Sequence, residues 1–346
     1  MTAERIDSRA CGSDALVAEI VECFALPRPA GWRDLGGSWT TNLLLDCPEG
    51  PLVARVYQGG TLPPRLSAVQ AARRAVAAAG IPTPQPISAV DGRSLATLRC
   101  GRLVEVEAYV RWNERMNTVP LLQRGFAVLA QVHDILRTAP LPSAARTTCN
   151  ANHVFSAEAS AASRRGSERI RGWSDPALSE FADQVVRHVD VVTAAEEPLR
   201  DQQLCQVVHG DFWDNNVLFA DGLLVAVLDF DFMAERPRVD DLALAMWFFL
   251  LEPAKGLPGE VERAQLRAFV DAYDDAAAVS LSPEERTALP LAIARQPAWS
   301  VGRWVVELDE DDAVRHARDA AAELPVAQAI IEDLPLWQRA LGPRDQ

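Results

Sequence analysis

Two short stretches in the second half of the chain carry polar groups where a fold tolerates them least. Residues 207–219 read VVHGDFWDNNVLF and residues 223–232 read LLVAVLDFDF. A carboxylate removed from water is costly unless it is paired, hydrogen-bonded or metal-bound. A chain that sets Asp211, Asn216, Asp229 and Asp231 among apolar segments must therefore gather them for a purpose. Asp211 follows an apolar strand at 206–208, Asn216 opens a strand at 216–219, and Asp229 closes a strand at 224–228. A hairpin of this kind brings Asp211, Asn216 and Asp229 to one end of a sheet.

The pattern on either side differs in kind. Residues 13–26 have the periodicity of an amphipathic helix ending before Pro27, and 32–58 read as three strands with Cys47-Pro-Glu-Gly50 as a hairpin turn. A helix over 64–79 is closed by Gly80 and Pro82, and strands follow near 86–90, 94–99 and 102–110. From residue 118 helices dominate: 119–137, 155–163, 176–195, 239–251, 259–279, 283–296, 298–308, 311–322 and 324–333. The expected class is α+β, with a small mostly-β lobe over 1–110 and a larger mostly-helical lobe over 111–346. A ligand cleft would lie between them.

Composition narrows the partners. The 346 residues are 49% hydrophobic and 24% charged, ordinary for a folded soluble protein. The longest apolar run, Leu242 to Leu251, is too short to span a bilayer, and the first thirty residues lack a signal-peptide core. A cytoplasmic location is the default expectation. Six cysteines stand singly with no CxxC pair, which indicates neither a zinc site nor a disulfide framework. A net charge of −14 argues against nucleic acid or an anionic membrane as partner. It is compatible with a cationic small substrate, although solubility alone explains it equally well.

An Asn carbonyl with a carboxylate is an all-oxygen donor set, which suits Mg²⁺ better than zinc. A further carboxylate outside the metal shell can take a proton from a hydroxyl. These are the parts of phosphoryl transfer from a nucleoside triphosphate. The arrangement His209-Gly210-Asp211, four residues, then Asn216, followed by Leu228-Asp229-Phe230-Asp231, resembles the aminoglycoside phosphotransferase family of the protein-kinase-like fold. The resemblance extends in order over most of the chain and implies a bilobal kinase-like fold, with nucleotide bound by the 1–110 lobe and catalysis in the 111–346 lobe.

Carried onto this sequence, the resemblance makes Asp211 the base and Asn216 and Asp229 the Mg²⁺ ligands. His209 would be structural, and Asp231 would serve a second metal or support the first. Asp241, in Val239-Asp-Asp-Leu, would brace the catalytic loop, though a helix N-cap is an equally good reading. Gly36, Gly37 and Ser38 fall where the family has its phosphate-covering loop. Arg55 stands where kinases use lysine, and the one lysine, Lys255, lies far along the helical lobe. The helix over 64–79 should offer a glutamate to that cation but contains no acid; Gln70 is nearest the expected place. Adenine would dock on the backbone near Glu107 and Tyr109.

Only eleven residues separate Asp229 from Asp241, too few for a protein-kinase activation segment, so a small hydroxylated acceptor is expected. Trp213, Asp214, Trp299, Trp304 and Glu307 are candidate acceptor contacts, the last three being equally consistent with core packing and helix-end charge. The leading expectation is transfer from ATP or GTP to a hydroxyl of an antibiotic, cationic or nucleoside in type. A metabolic kinase of homoserine, methylthioribose or choline type is the alternative, and a nucleotide-binding protein without catalysis is a third. Five dispersed histidines do not suit a metallophosphoesterase. Monomer and homodimer both remain open.

Overall fold

Alternation along the early strands divides one sheet into a greasy face and an ionic face. A computed structural model describes residues 9–37, 40–147, 155–251 and 256–343. Helix α1 (Asp14–Phe24) is capped by the Ser13 hydroxyl, which accepts from the Leu16 amide. It is followed by β1 (Trp32–Asp34), β2 (Thr41–Leu45), β3 (Leu52–Val56), α2 (Pro63–Ala78), β4 (Ala96–Thr97) and β5 (Leu103–Ala108). The strands form an antiparallel sheet in the order β1-β2-β3-β5-β4. Successive side chains on a strand point to opposite faces. Ala54, Val56, Val104 and Val106 therefore pack with Val17, Ile20 and Phe24 of α1. Arg55 and Glu105, paired in register across β3 and β5, face α2 on the other side.

Helix α2 is fixed to both halves of the molecule. Its Ala68, Val69, Ala72 and Val76 belong to the large hydrophobic core of the helical portion. Arg65 donates to the carbonyls of Ala144, Thr147, Asp231 and Met233. Arg73 pairs with Glu105 and Glu107 on β5.

The helical portion begins with β6 (Glu114–Arg115), α3 (Val119–Thr138), α4 (Ser156–Arg171) and α5 (Pro176–Glu196). Then come β7 (Cys205–Val208), β8 (Val217–Ala220), β9 (Leu223–Val227) and β10 (Ala234–Pro237). The chain ends in α6 (Val239–Leu250), α7 (Glu260–Ala276), α8 (Pro283–Ala294), α9 (Pro297–Trp299), α10 (Val305–Glu307), α11 (Glu310–Glu332) and α12 (Leu334–Leu341). The β8–β9 hairpin forms as expected, with β6 on its outer side. Strand β7 does not join that sheet but pairs with β10, so the loop 209–216 hangs between two small sheets.

Several local expectations are corrected. Residues 86–90 form no strand beyond a bridge from Pro86 to Glu107, since proline cannot supply a ladder donor. The helix expected over 298–308 is interrupted by a π-turn, Ser300–Trp304, between α9 and α10. Close approach of α4 accompanies the wider turn: a Cβ on Gly166 would lie 1.9 Å from the Val301 carbonyl oxygen. The two helices expected at 311–322 and 324–333 are one, α11, with Pro325 inside it. Buried Leu324, Ala327 and Ile330 hold the helix together across the hydrogen bond that proline removes. No described helix is long and apolar enough to cross a membrane. Ser38, Lys255 and Cys149 lie outside the described residues.

Candidate active site

The loop between β7 and β8 is built from beneath by one buried carboxylate. Asp241, fully buried near the start of α6, accepts hydrogen bonds from the amides of His209 and Gly210, both at 2.8 Å. His133 Nε2 lies 3.1 Å from the same carboxylate, and its Nδ1 lies 2.9 Å from the Tyr273 hydroxyl. The residue at the N-cap of α6 is Arg238, with no side-chain cap bond, so of the two readings of Asp241 the brace matches the geometry. His209 lies 2.8 Å from the Leu228 carbonyl through Nε2, and its Nδ1 accepts from the Asp211 amide at 3.2 Å. That pattern requires the neutral imidazole with its proton on Nε2, and burial lowers the pKa in the same direction. His209 is thus a structural link between the loop and β9.

Gly210 makes the turn possible. Its φ is +83°, and a Cβ there would lie 2.1 Å from the Phe232 carbonyl oxygen. Gly210→Ala is therefore expected to destabilise the fold by at least about 2 kcal/mol, from a left-handed backbone penalty plus the clash. Urea denaturation checks this; an unchanged midpoint would contradict the turn's tightness.

Above the turn, Asn216 Nδ2 donates to the Asp211 carboxylate at 2.7 Å and to its carbonyl at 2.9 Å. The Leu228 amide donates to the Asn216 carbonyl at 2.8 Å, setting Asn216 beside the end of β9. Asp211 and Asn216 are both almost buried. Asp229, in the left-handed region at φ 58°, turns its carboxylate toward β3. There Arg55 Nη2 lies 3.0 Å from Asp229 Oδ1 and 2.9 Å from Asp231 Oδ2. Burial opposes the charge on Arg55, but Asp231, Tyr57 and Asp229 outweigh it and hold the guanidinium well above its ordinary pKa.

Asp231 also accepts from the Thr40 hydroxyl at 3.4 Å, so the end of the glycine loop reaches the same carboxylate. Gly36 and Gly37 have φ of +88° and +110°, conformations that glycine adopts freely. The Asn42 side chain closes their turn by donating to Gly36 O and Thr40 O.

The donor set suits a hard cation. Asp231 Oδ1 is buried without a hydrogen-bond partner, and with its amide nitrogen spent on Asp211, Asn216 retains its side-chain carbonyl as an oxygen donor. Mg²⁺ is ordinarily held by one or two carboxylates and completed by water and substrate phosphates. Burial, reinforced by Asp229 and Glu105, overrides Arg55 and pushes the Asp231 carboxyl up to about 7. A carboxyl must lose its proton to take a cation, so the apparent Mg²⁺ affinity is expected to fall as pH drops through 7. Titration of Mg²⁺-dependent nucleotide binding from pH 8 to pH 6 checks this, and Asp231→Asn should flatten the dependence.

A family model described as "Phosphotransferase enzyme family" matches residues 32–284. The chain belongs to this phosphotransferase family. It is a small-molecule kinase. It is 27% identical over 264 residues to a homoserine kinase of Rhodospirillum rubrum, covering 74% of this chain and 73% of that one. A homoserine kinase of Phenylobacterium zucineum is 24% identical over 290 residues, covering 81% and 80%. Among solved structures, a microcompartment-associated aminopropanol kinase superposes with a TM-score of 0.66 at 17% identity, over 92% of this chain and 98% of that one. An amicoumacin kinase bound to AMP-PNP and Ca²⁺ gives 0.65 at 11% identity, over 91% and 95%. The fold is the kinase-like α+β architecture expected from the sequence.

Not every candidate of this kinase converges on the loop. Trp213 stacks on Phe248 of α6 with ring centroids 4.4 Å apart, and Asp214 is half-buried, its pKa raised by burial against the pull of Arg115. Trp299 packs edge-on to Trp304 at 5.0 Å, and Trp304 stacks on His316 at 5.4 Å. Glu307 pairs with Arg303 at 3.0 Å. These three form a cluster around the π-turn. Tyr109 has its amide committed to the Pro51 carbonyl, and the Glu107 carboxylate is buried against Arg73. Gln70, nearest the expected place of the missing helix acid, donates to Glu105 at 2.7 Å rather than to Arg55. Glu105, Arg73, Arg65 and Thr40 were not foreseen. The signal for Glu105 was available in Leu103-Val-Glu-Val-Glu-Ala108, where two acids alternate with apolar residues on one face of a strand.

Proposed function

We propose that this kinase transfers the γ-phosphoryl group of ATP or GTP to the hydroxyl of a small amino alcohol or hydroxy amino acid. The observation that carries the transfer is the Asp211–Asn216 pair, almost buried, on the loop whose following hairpin ends at Asp229, the ion-pair partner of Arg55. In this reading Asp211 accepts a hydrogen bond from the acceptor hydroxyl and aligns its oxygen on the γ-phosphorus. As the new P–O bond forms and the bond to the bridging oxygen breaks, Asp211 takes the hydroxyl proton. Arg55 binds the phosphates as a fixed cation. Asn216 and Asp229, with Asp231 beside them, hold Mg²⁺, which when bound neutralises charge on the phosphate oxygens.

The acceptor class is supported by the homoserine kinases, which match over about three quarters of both chains. Acceptor binding is assigned to Asp214 and Trp213, on the loop itself. A second reading, inactivation of an antibiotic, is favoured by the likeness to the amicoumacin kinase fold and by the aromatic-acid cluster Trp299, Trp304 and Glu307. A nucleotide-consumption assay with Mg²⁺ and either ATP or GTP separates them. Homoserine, aminopropanol and choline would be tested beside aminoglycosides, spectinomycin and amicoumacin. Turnover confined to an antibiotic would overturn the first reading in favour of the second.

A further inference from the structure

The resemblance calls for an acid on the helix facing Arg55, and α2 has none. An acid does stand beside Arg55, on the neighbouring strand. Glu105 is the in-register partner of Arg55 across β3 and β5, and its carboxylate is fully buried. Glu105 Oε1 lies 3.9 Å from Arg55 Nη1, whereas Asp229 and Asp231 pair with the other terminal nitrogen, Nη2. Helix α2 contributes what a helix acid would otherwise need from elsewhere: Gln70 donates to Glu105 Oε2, and Arg73 pairs with Oε1. Ser94 in turn donates to the Gln70 carbonyl at 2.5 Å, fixing the orientation of that amide. The Tyr57 hydroxyl is a further donor to Glu105.

We propose that Glu105 is the positioning residue for Arg55, the charge pair having passed from helix to strand while the helix keeps the acid in place. The proposal rests on the reading of Arg55 as the phosphate-binding cation. A buried carboxylate needs its charges balanced, and Glu105 Oε1 has Arg73 as its close partner with Arg55 farther off at 3.9 Å. The strong pull of Arg73 and Arg55 keeps Glu105 ionised despite its burial. Glu107, two residues on along the same face, has its pKa raised by burial against the pull of Arg73 and Arg55. Of the two acids, Glu105 is the one within ion-pair distance of Arg55, and it would keep Arg55 aimed if Asp229 were drawn to Mg²⁺.

The test is a double-mutant cycle in nucleotide affinity, read by calorimetric titration of Mg²⁺–ATP into the whole chain. Glu105→Gln should weaken binding about tenfold and Arg55→Ala at least as much, the size of one charge-assisted contact. Glu105→Gln in the Arg55→Ala background should add less than about twofold, because Glu105 acts through Arg55. In steady state the nucleotide KM should rise while the acceptor KM stays put. If Glu105→Gln is not folded at the working temperature, Glu105→Asp keeps the charge, withdraws it from Arg55, and takes its place in the cycle. Equal losses from the Glu105 substitution in both backgrounds would make Glu105 a packing residue and overturn the proposal, as would no loss at all. A nucleotide affinity unchanged by Arg55→Ala would overturn the phosphate-grip reading itself, a distinct failure.

Discussion

Asp211→Ala is expected to lower kcat by about a thousandfold, within the range usual for loss of a positioned general base, while the nucleotide dissociation constant moves by less than about twofold. The asymmetry follows from geometry. Asp211 is held by Asn216 and by its own amide bond to His209, whereas the contacts of Arg55 run to Asp229 and Asp231. On the proposed reading, removing Asp211 takes away the group that would receive the acceptor proton, while Arg55, Asp229 and Asp231 keep their mutual contacts. The paired measurement is single-turnover phosphoryl transfer beside calorimetric nucleotide binding. A thousandfold loss of nucleotide affinity instead would make Asp211 a metal ligand and would move the base elsewhere. Asp229→Ala should behave in the opposite sense, weakening Mg²⁺–nucleotide binding as well as turnover.

Asp241→Ala is expected to have the largest effect on stability. The substitution strands the amides of His209 and Gly210, both buried, and removes the carboxylate beside His133. At about 1–3 kcal/mol for each buried donor left without a partner, the loss should come to roughly 3–5 kcal/mol in urea denaturation. Turnover should fall as well, since the two stranded amides carry Asp211. Asp241→Asn keeps one acceptor oxygen and should lose about half as much. A variant as stable as the wild type would mean that water replaces the carboxylate and that α6 does not support the loop.

What could be read from the residues divides along sequence distance. The hairpin and its polar end were legible because Asp211, Asn216 and Asp229 sit within one local segment, each at the end of an apolar run. The left-handed turn at Gly210 emerged only from the backbone, where its φ is +83°. Asp241 was recognisable as a candidate but not its direction, since a carboxylate in the first turn of a helix can equally cap that helix. Glu105 went unread because its meaning depends on pairing β5 with β3, fifty residues earlier, and on the face that α2 covers. Strands β6 and β10 are two and four residues long, too short for any alternation to register. Trp299 and Trp304 were ambiguous by type, and the π-turn between them packs against Gly166 of α4, far away in sequence.

Helix α2 is riveted twice, by Arg65 to four carbonyls of the helical portion and by Arg73 to the sheet. Kinases that serve as signalling switches idle by swinging the corresponding helix outward and breaking its ion pair. Here that movement would have to tear out a buried arginine and a share of the main core at once. An outward swing of α2 is therefore costly in this protein, because its two arginine anchors and its core residues would be lost together.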